Sequence, residues 1–227
     1  MSETTTDNIL KAEINLYYDL KPGHEANAPL LIALHGYGAN KRYMMQEAQF
    51  VAPEGFAIAS LQGYYQHMRE PNEKGGPMKF GFGWVTNFRP EDSVAIHHRA
   101  LLDLIDKLVR LGIADPQQIF LLGFSQACAM NYRFAFTHPK MLSGVIGMCG
   151  GMPGDWETSD RYRDTEADVF HLTGTRDDFY TAERIRDYER QLRMRAAEVT
   201  FKLYDAAHEI TQPMRNDIKE WLTERAR

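Results

Sequence analysis

The sequence predicts an α/β protein with a mostly parallel central sheet and helices on both faces. From Pro29 onward, apolar runs of strand length alternate with segments that have helical spacing. Two of these runs, Leu30–Leu34 and Ile119–Leu122, are continuously apolar, as expected of parallel strands buried on both faces. Strands separated by single helices imply right-handed crossovers and a parallel sheet. No internal repeat or linker interrupts the pattern, so residues 1–227 are predicted to form a single domain.

The first half of the chain is expected to supply the edge of the sheet and one covering helix. The predicted elements are an edge strand over 11–20, a buried strand over 30–34, a helix over 41–52 with Asn40 as its cap, and a strand over 56–61. Residues 62–90 are predicted to be irregular, because glycine and proline punctuate them throughout. A loop of this length inside a compact domain is usually functional or mobile.

The second half continues the alternation. A helix is predicted over 91–111, where apolar residues recur at helical spacing and Gly112 follows the end. The remaining predicted elements are strand 118–122, helix 126–137, strands 144–149 and 168–172, helix 181–196, strand 199–204 and helix 211–224.

Composition narrows the function classes. The chain has 227 residues, 44% of them hydrophobic, and a net charge of −5, which argues against nucleic acid as a partner. No apolar run approaches the roughly 18 residues of a membrane span, and residues 1–8 lack the pattern of a secretory leader. Cys128 and Cys149 lie in apolar surroundings and are expected to be buried free thiols. A cytoplasmic location is the resulting expectation.

The pentad Gly123-Phe124-Ser125-Gln126-Ala127 lies where a buried strand ends and a helix begins. It follows the pattern G-x-S-x-G of a nucleophile elbow, with alanine in the last place. Such a turn raises the serine above the sheet, although a plain turn in which Ser125 caps the next helix would have the same sequence. A serine hydroxyl is a poor nucleophile without a base and an oxyanion hole, so both must be sought elsewhere.

The acid and base are expected at strand ends, because functional groups of parallel sheets gather past the carboxyl edge. Asp177 and Asp178 follow the strand over 168–172, and His208 follows the strand over 199–204. The resulting order of serine, aspartate and histidine is that of an α/β-hydrolase. Asp177 is favoured because it is nearer the strand, while either aspartate could instead serve as a turn acid or helix cap.

The oxyanion hole is predicted to use two backbone N–H groups. One belongs to Gln126, directly after the serine, and the other to Tyr37, in the turn His35-Gly36-Tyr37-Gly38 after an early strand. The histidine of that turn, His35, is interpreted as a structural residue beneath the site. No H-E-x-x-H or other metal spacing occurs, so neither a metal nor a cofactor is predicted.

These motifs together resemble those of the phospholipase/carboxylesterase family of α/β-hydrolases, which includes acyl-protein thioesterases. The resemblance runs over nearly the whole chain from about residue 28 and covers the H-G-x-G turn, the G-F-S-Q elbow, the G-x-x-D turn ending at Asp177, and His208. It departs from the family at Ala127, where glycine is usual, and at Thr173, where histidine is usual. The resemblance implies an α/β-hydrolase fold without a separate cap domain.

The expected function is therefore that of a serine carboxylesterase, with Ser125, His208 and Asp177 as a triad acting on a small-molecule ester through an acyl-enzyme. Phe82 and Trp84 are predicted to line the acyl pocket, although packing onto the core would explain them equally well. An acyl thioesterase or a lysophospholipase would use the same triad. A silent binding protein on this fold is disfavoured, since all three residues are present.

Overall fold

A computed structural model describes residues 8–69 and 76–226 of the chain. The strands are β1 (Tyr18–Lys21), β2 (Ala28–Leu34), β3 (Ala57–Leu61), β4 (Tyr65–Arg69), β5 (Lys79–Gly83), β6 (Ala114–Phe124), β7 (Gly144–Met148), β8 (Asp168–Gly174) and β9 (Val199–Tyr204). The helices are α1 (Lys41–Val51), α2 (Pro90–Arg110), α3 (Gln126–Thr137), α4 (Ala182–Ile185), α5 (Tyr188–Arg193) and α6 (Gln212–Arg225).

Seven of the strands form one sheet in the order β1-β3-β2-β6-β7-β8-β9. Only β1, at the edge, pairs antiparallel; the other neighbours are parallel. The strand β2 pairs with β3 on one side and β6 on the other, and its residues Leu30–Leu34 are fully buried. The predicted α/β class and parallel sheet are confirmed.

The sheet separates two apolar cores, because alternate strand residues point to opposite faces. On one face, Leu121 and Val145 pack with α2 and α3. On the other, Phe120 and Ile146 pack with α1 and α6. Within the part of the chain that the structure describes, the remaining elements are short, and no separate cap domain is evident.

The chain order places a topological switch at the middle of the sheet. From β2 the chain moves outward to β3, then returns to β6 on the opposite side of β2. The loops after β2 and β6 therefore diverge, which leaves a crevice at the carboxyl edge between them. This crevice is where the predicted oxyanion turn and the predicted elbow both begin.

The prediction that residues 62–90 are irregular is wrong for two of their segments. The strands β4 and β5 form a separate antiparallel hairpin, with His67 opposite Gly81. A Cβ atom at Gly81 would lie 2.8 Å from both Gly38 Cα and His67 Nε2, so this glycine permits close packing inside a strand. The predicted irregularity of residues 70–75 concerns positions outside the described residues.

Three other elements differ from their predicted bounds. The helix predicted over 181–196 is divided into α4 and α5, which are separated by a turn at residues 186 and 187. The edge strand predicted over 11–20 is ordered as a strand only from Tyr18, where pairing with β3 begins. Conversely, β6 starts at Ala114, ahead of the predicted residue 118, because it pairs with Ala28 across a bulge.

His35 and His171 are among the buried histidines and are neutral in the folded protein. His35 and His171 have no exposed surface, and burial lowers the pKa of each to about 4. The His171 ring lies 5.1 Å from the Phe201 ring in a stacked arrangement, and its Nδ1 is 2.8 Å from the Tyr132 hydroxyl. Both predicted buried thiols, Cys128 and Cys149, are buried and free as well.

Among residues 8–69 and 76–226, no helix combines the length and apolar character that a membrane crossing requires. The leader pattern considered for residues 1–8 concerns positions that, apart from Asn8, lie outside the described residues.

The packing of α6 on the sheet predicts a stability change at Gly144. A Cβ atom there would lie 2.5 Å from Trp221 Cη2 and 3.0 Å from Phe120 Cδ1. Gly144→Ala is therefore expected to lower the free energy of unfolding by about 1–3 kcal/mol, because buried rings must shift. Urea unfolding measures the change. Gly154→Ala is the control, since nothing lies within 4 Å of a Cβ atom there; equal urea midpoints for both variants would contradict this account.

The buried histidines predict a loss of stability in mild acid. The unfolded pKa of 6.5 exceeds the folded value of about 4, so the unfolded state binds more protons between these pH values. The free energy of unfolding is expected to fall as the pH drops from about 6.5 to 4, by up to about 1.4 kcal/mol per pH unit for each histidine. Denaturant titrations at several pH values measure this slope, and His171→Gln should make it shallower by about one proton. A slope that is identical in the variant would refute the role of His171.

Candidate active site

Ser125 occupies a strained turn between β6 and α3. Its φ of 55° and ψ of −115° lie in the positive-φ region that side chains rarely adopt, which typically costs about 1–3 kcal/mol. Its N–H donates to the Met148 carbonyl at 2.9 Å, which ties the turn to the neighbouring strand. Its side chain makes no capping hydrogen bond to α3, so the alternative role as a helix cap is excluded. The hydroxyl is free to act elsewhere.

The hydroxyl belongs to a chain of hydrogen bonds that joins three strand ends. Ser125 Oγ lies 3.0 Å from His208 Nε2, and His208 Nδ1 lies 2.8 Å from Asp177 Oδ2. These residues are 83 and 31 positions apart in sequence and meet because β6, β8 and β9 end at one edge of the sheet. The structure thus brings together all three predicted triad residues.

The two carboxylate oxygens of Asp177 have different hydrogen-bond partners. Its Oδ1 accepts the backbone N–H groups of Phe179 at 2.8 Å and Tyr180 at 2.9 Å, as a turn acid does. Its Oδ2 remains for His208. The carboxylate has no exposed surface, whereas Asp178 is exposed. A buried carboxylate with three hydrogen bonds is held in one orientation.

The turn that contains Asp177 (the acid turn) and the turn that contains His208 (the histidine turn) are held together by backbone hydrogen bonds. The N–H of Thr175 donates to Tyr204 at 2.8 Å, and that of Arg176 donates to Ala206 at 2.9 Å. A side chain at Gly174 would overlap the Ala206 carbonyl, so glycine is needed for this approach. The separation of Asp177 and His208 is therefore set by paired main chains.

Three aromatic rings surround the imidazole. The ring centroids of Phe179, Phe124 and Tyr180 lie 4.8, 4.9 and 5.9 Å from that of His208. The His208 side chain is 20% exposed. This environment limits water around the imidazole and leaves one edge open toward the crevice.

The turn after β2 lies directly against the elbow. A Cβ atom at Gly36 would lie 2.9 Å from Phe124 Cδ1 and 3.2 Å from Ser125 Cβ, so glycine allows the two turns to touch. The N–H of Gly38 is already used by the Phe82 carbonyl at 2.8 Å. Gln126 is the first residue of α3, where an N–H has no partner within the helix. The turn that contains Tyr37 and the start of α3 at Gln126 therefore both adjoin Ser125.

The hairpin supports this turn through contacts that the sequence did not suggest. Arg69 Nη1 donates to the Gly38 carbonyl at 3.0 Å, and the rings of His67 and Tyr37 stack at 4.4 Å. The backbone N–H of Trp84 donates to Gln126 Oε1 at 2.8 Å. The only sequence signal for this role was the density of aromatic residues and glycine between 62 and 90.

The two predicted pocket residues occupy different environments. Trp84 has no exposed surface, and its indole N–H donates to the His35 carbonyl at 2.7 Å. It therefore packs beneath the oxyanion turn, as the alternative interpretation allowed, and has no free surface for an acyl chain. Phe82 is half-buried beside the turn, where its N–H donates to Ala39 at 3.2 Å.

His35 holds the turn from below, as predicted. The Gly63 N–H donates to His35 Nε2 at 2.9 Å, which leaves Nδ1 to donate to the Gly36 carbonyl at 2.8 Å. Burial lowers its pKa to about 4, so it is neutral in this tautomer at ordinary pH. Among residues 8–69 and 76–226, no group of three or more histidine, cysteine or acidic side chains is arranged so that it could hold a metal ion.

Solved structures of similar fold extend over almost the whole chain. A Bacillus cereus carboxylesterase is 18% identical with a TM-score of 0.72, and the match covers 92% of this chain and 94% of that one. Esterase PE8 is 19% identical with a TM-score of 0.74, covering 93% of this chain and 100% of that one. At these identities the likeness shows a common fold.

Comparisons of sequence give partial matches to longer proteins. NocK of Nocardia uniformis subsp. tsuyamanensis is 25% identical over 135 residues, 58% of this chain and 36% of NocK. Poly(3-hydroxyalkanoate) depolymerase C of Paucimonas lemoignei is 24% identical over 140 residues, 61% of this chain and 31% of the depolymerase. The matched segments thus span about a third of these relatives. The family model described as Phospholipase/Carboxylesterase matches residues 17–225, and the chain therefore belongs to the phospholipase/carboxylesterase family of the α/β-hydrolase fold.

Proposed function

We propose that this protein is a serine hydrolase that cleaves carboxylic esters of small molecules through Ser125, His208 and Asp177. The observation that supports the proposal most directly is the unbroken hydrogen-bond chain, 3.0 Å from serine to imidazole and 2.8 Å from imidazole to carboxylate. The strained backbone of Ser125 supports it as well, because strain of this kind is concentrated at functional sites.

In the acylation half-reaction, Ser125 Oγ attacks the ester carbonyl carbon. His208 Nε2 removes the hydroxyl proton as the new carbon–oxygen bond forms. Asp177 accepts from Nδ1, which fixes the tautomer and stabilises the imidazolium. His208 then returns the proton to the alcohol oxygen as the ester bond breaks, and the acyl group remains on Ser125.

The carbonyl oxygen becomes negatively charged in this step and needs donors that are already in place. We assign this role to the N–H groups of Tyr37 and Gln126, the latter at the positive end of α3. A single donor of this kind is worth roughly 3–4 kcal/mol. The contacts of Gly36 with the elbow favour the role, because they hold both donors in a fixed relation to the serine.

Deacylation repeats the sequence with water as the nucleophile. His208 takes a proton from water as its oxygen attacks the acyl carbon, and then gives that proton to the departing Oγ. The acid product leaves and the serine hydroxyl is restored. Each proton that leaves one oxygen is therefore delivered to another, and no external cofactor enters the balance.

The substrate is proposed to present its acyl group to the mouth between the elbow and the hairpin. Tyr37, Phe80 and Phe179 are more than half exposed on the turn, the hairpin and the acid loop. Apolar rings at these places suit an apolar acyl chain better than a charged acyl chain. Two proteins similar to this chain are named as a carboxylesterase and as a poly(3-hydroxyalkanoate) depolymerase, which supports an ester as the bond cleaved.

The proposed nucleophile can be tested by covalent labelling. A fluorophosphonate probe is expected to modify the protein on Ser125, because phosphonylation requires an activated serine. Ser125→Ala should abolish both labelling and hydrolysis of p-nitrophenyl esters. Peptide mass mapping locates the label. Labelling that persists in the variant, or that maps to another residue, would refute the assignment of Ser125 as the nucleophile.

The proposed acid has a matched control beside it. Asp177→Asn should lower kcat for ester hydrolysis on the order of 10³- to 10⁴-fold, because the imidazole loses the partner that fixes its tautomer. Asp178→Asn changes the same group on an exposed neighbour and should leave kcat within about two-fold. Steady-state kinetics on both variants measures the difference. Equal losses in the two would show that Asp177 has no special role.

A further inference from the structure

Trp84 bridges the two elements to which the oxyanion donors are assigned. Its backbone N–H donates to Gln126 Oε1 at 2.8 Å, at the first residue of α3. Its indole N–H donates to the His35 carbonyl at 2.7 Å, at the start of the turn that contains Tyr37. Trp84 has no exposed surface, so both of its N–H groups are removed from bulk water. A single buried residue therefore joins α3 to the turn after β2.

The strand that leads to Trp84 is paired with the same turn. The N–H of Gly38 donates to the Phe82 carbonyl at 2.8 Å, and the N–H of Phe82 donates to the Ala39 carbonyl at 3.2 Å. This reciprocal pair of backbone hydrogen bonds fixes the strand against the turn. Only Gly83 separates Phe82 from Trp84, so the spacing between the two attachments is set by the covalent chain.

The Gln126 side chain links α3 to this strand. A Cβ atom at Gly83 would lie 3.2 Å from Gln126 Oε1 and 3.3 Å from Tyr37 Cδ2. The absence of a side chain at Gly83 therefore lets the amide of Gln126 reach the Trp84 N–H beside the Tyr37 ring. Because the amide is neutral, this link brings no charge to the neighbourhood of the serine.

We propose that the side chain of Gln126 is a positioning group, which holds Trp84 and thereby fixes the separation between the N–H groups of Gln126 and Tyr37. The role rests on the proposed function, since it requires both N–H groups to bind the oxyanion. Two donors act together only when both lie within hydrogen-bond distance of one oxygen, and each bond weakens steeply with misalignment. The elbow pattern does not imply this role, because it leaves the residue after the serine open.

The proposed effect belongs to the transition state. The oxyanion accepts stronger hydrogen bonds than the neutral carbonyl of the bound ester, so a displaced donor lowers kcat more than it raises KM. The hydrogen bonds that join Ser125, His208 and Asp177 use neither the Gln126 side chain nor Trp84. The pH at which activity is half lost in acid should therefore stay where it is in the wild-type protein.

The test is Gln126→Met, which keeps the backbone N–H, the side-chain length and a high helix propensity but removes the acceptor for Trp84. For a p-nitrophenyl ester, kcat is expected to fall about ten-fold, less than the 10²- to 10³-fold typical of losing a whole donor, and KM should stay within about two-fold. The inhibition constant of a trifluoromethyl ketone, whose adduct with Ser125 carries an oxyanion, should rise by the same factor of about ten.

Gln66→Met is the matched control, because it makes the same replacement in β4 of the hairpin, where the side chain is exposed. This variant should leave kcat and the inhibition constant within about two-fold of wild type. Near-identical thermal unfolding of the three proteins would show that packing is intact.

Three results for Gln126→Met would overturn the proposal: an unchanged kcat and inhibition constant, a loss expressed in KM alone, or a shift of the acid limb of the pH profile. Failure of the wild-type protein to react with a fluorophosphonate would instead overturn the serine mechanism itself.

Discussion

The close approach of backbones at the carboxyl edge of the sheet is the constraint on which the site depends. Three glycines make it possible. Gly36 lets the turn after β2 touch the elbow, and Gly174 lets the acid turn touch the histidine turn. A Cβ atom at Gly150 would lie 2.5 Å from the Ser125 carbonyl, so this position also admits no side chain without displacing Ser125. The positions of the three functional groups therefore follow from main-chain contacts that tolerate little adjustment.

Electrostatics reinforces this geometry. A carboxylate without exposed surface, such as that of Asp177, would be costly to bury unless it had hydrogen-bond partners. Two backbone N–H groups and one imidazole meet that need, so the same bonds that make burial tolerable also orient His208. The aromatic rings around the imidazole extend the effect, because they limit the access of water to it.

Much of the site could be predicted from the sequence because the sheet topology determines where the strand ends meet. Parallel strands end at one edge, so Ser125, Asp177 and His208 could be proposed as neighbours from their addresses after three strands. The hairpin of β4 and β5 could not be predicted, because glycine usually interrupts regular structure. Here Gly81 and Gly83 lie within β5, where they allow close contacts. Trp84 was ambiguous for a related reason: an aromatic residue near a site has the same sequence signature whether it faces substrate or core.

The division of α4 from α5 by a turn at residues 186 and 187 could not be predicted either, because hydrophobic periodicity does not report a local break of this kind.

The left-handed backbone of Ser125 has a consequence for the evolution and engineering of this chain. Glycine adopts such angles without penalty, so the residue with the least backbone strain at position 125 would be one that has no hydroxyl. Fold stability and the proposed reactivity of Ser125 are thus opposed at a single residue, and selection for heat tolerance alone would favour a more stable molecule that lacks the proposed nucleophile.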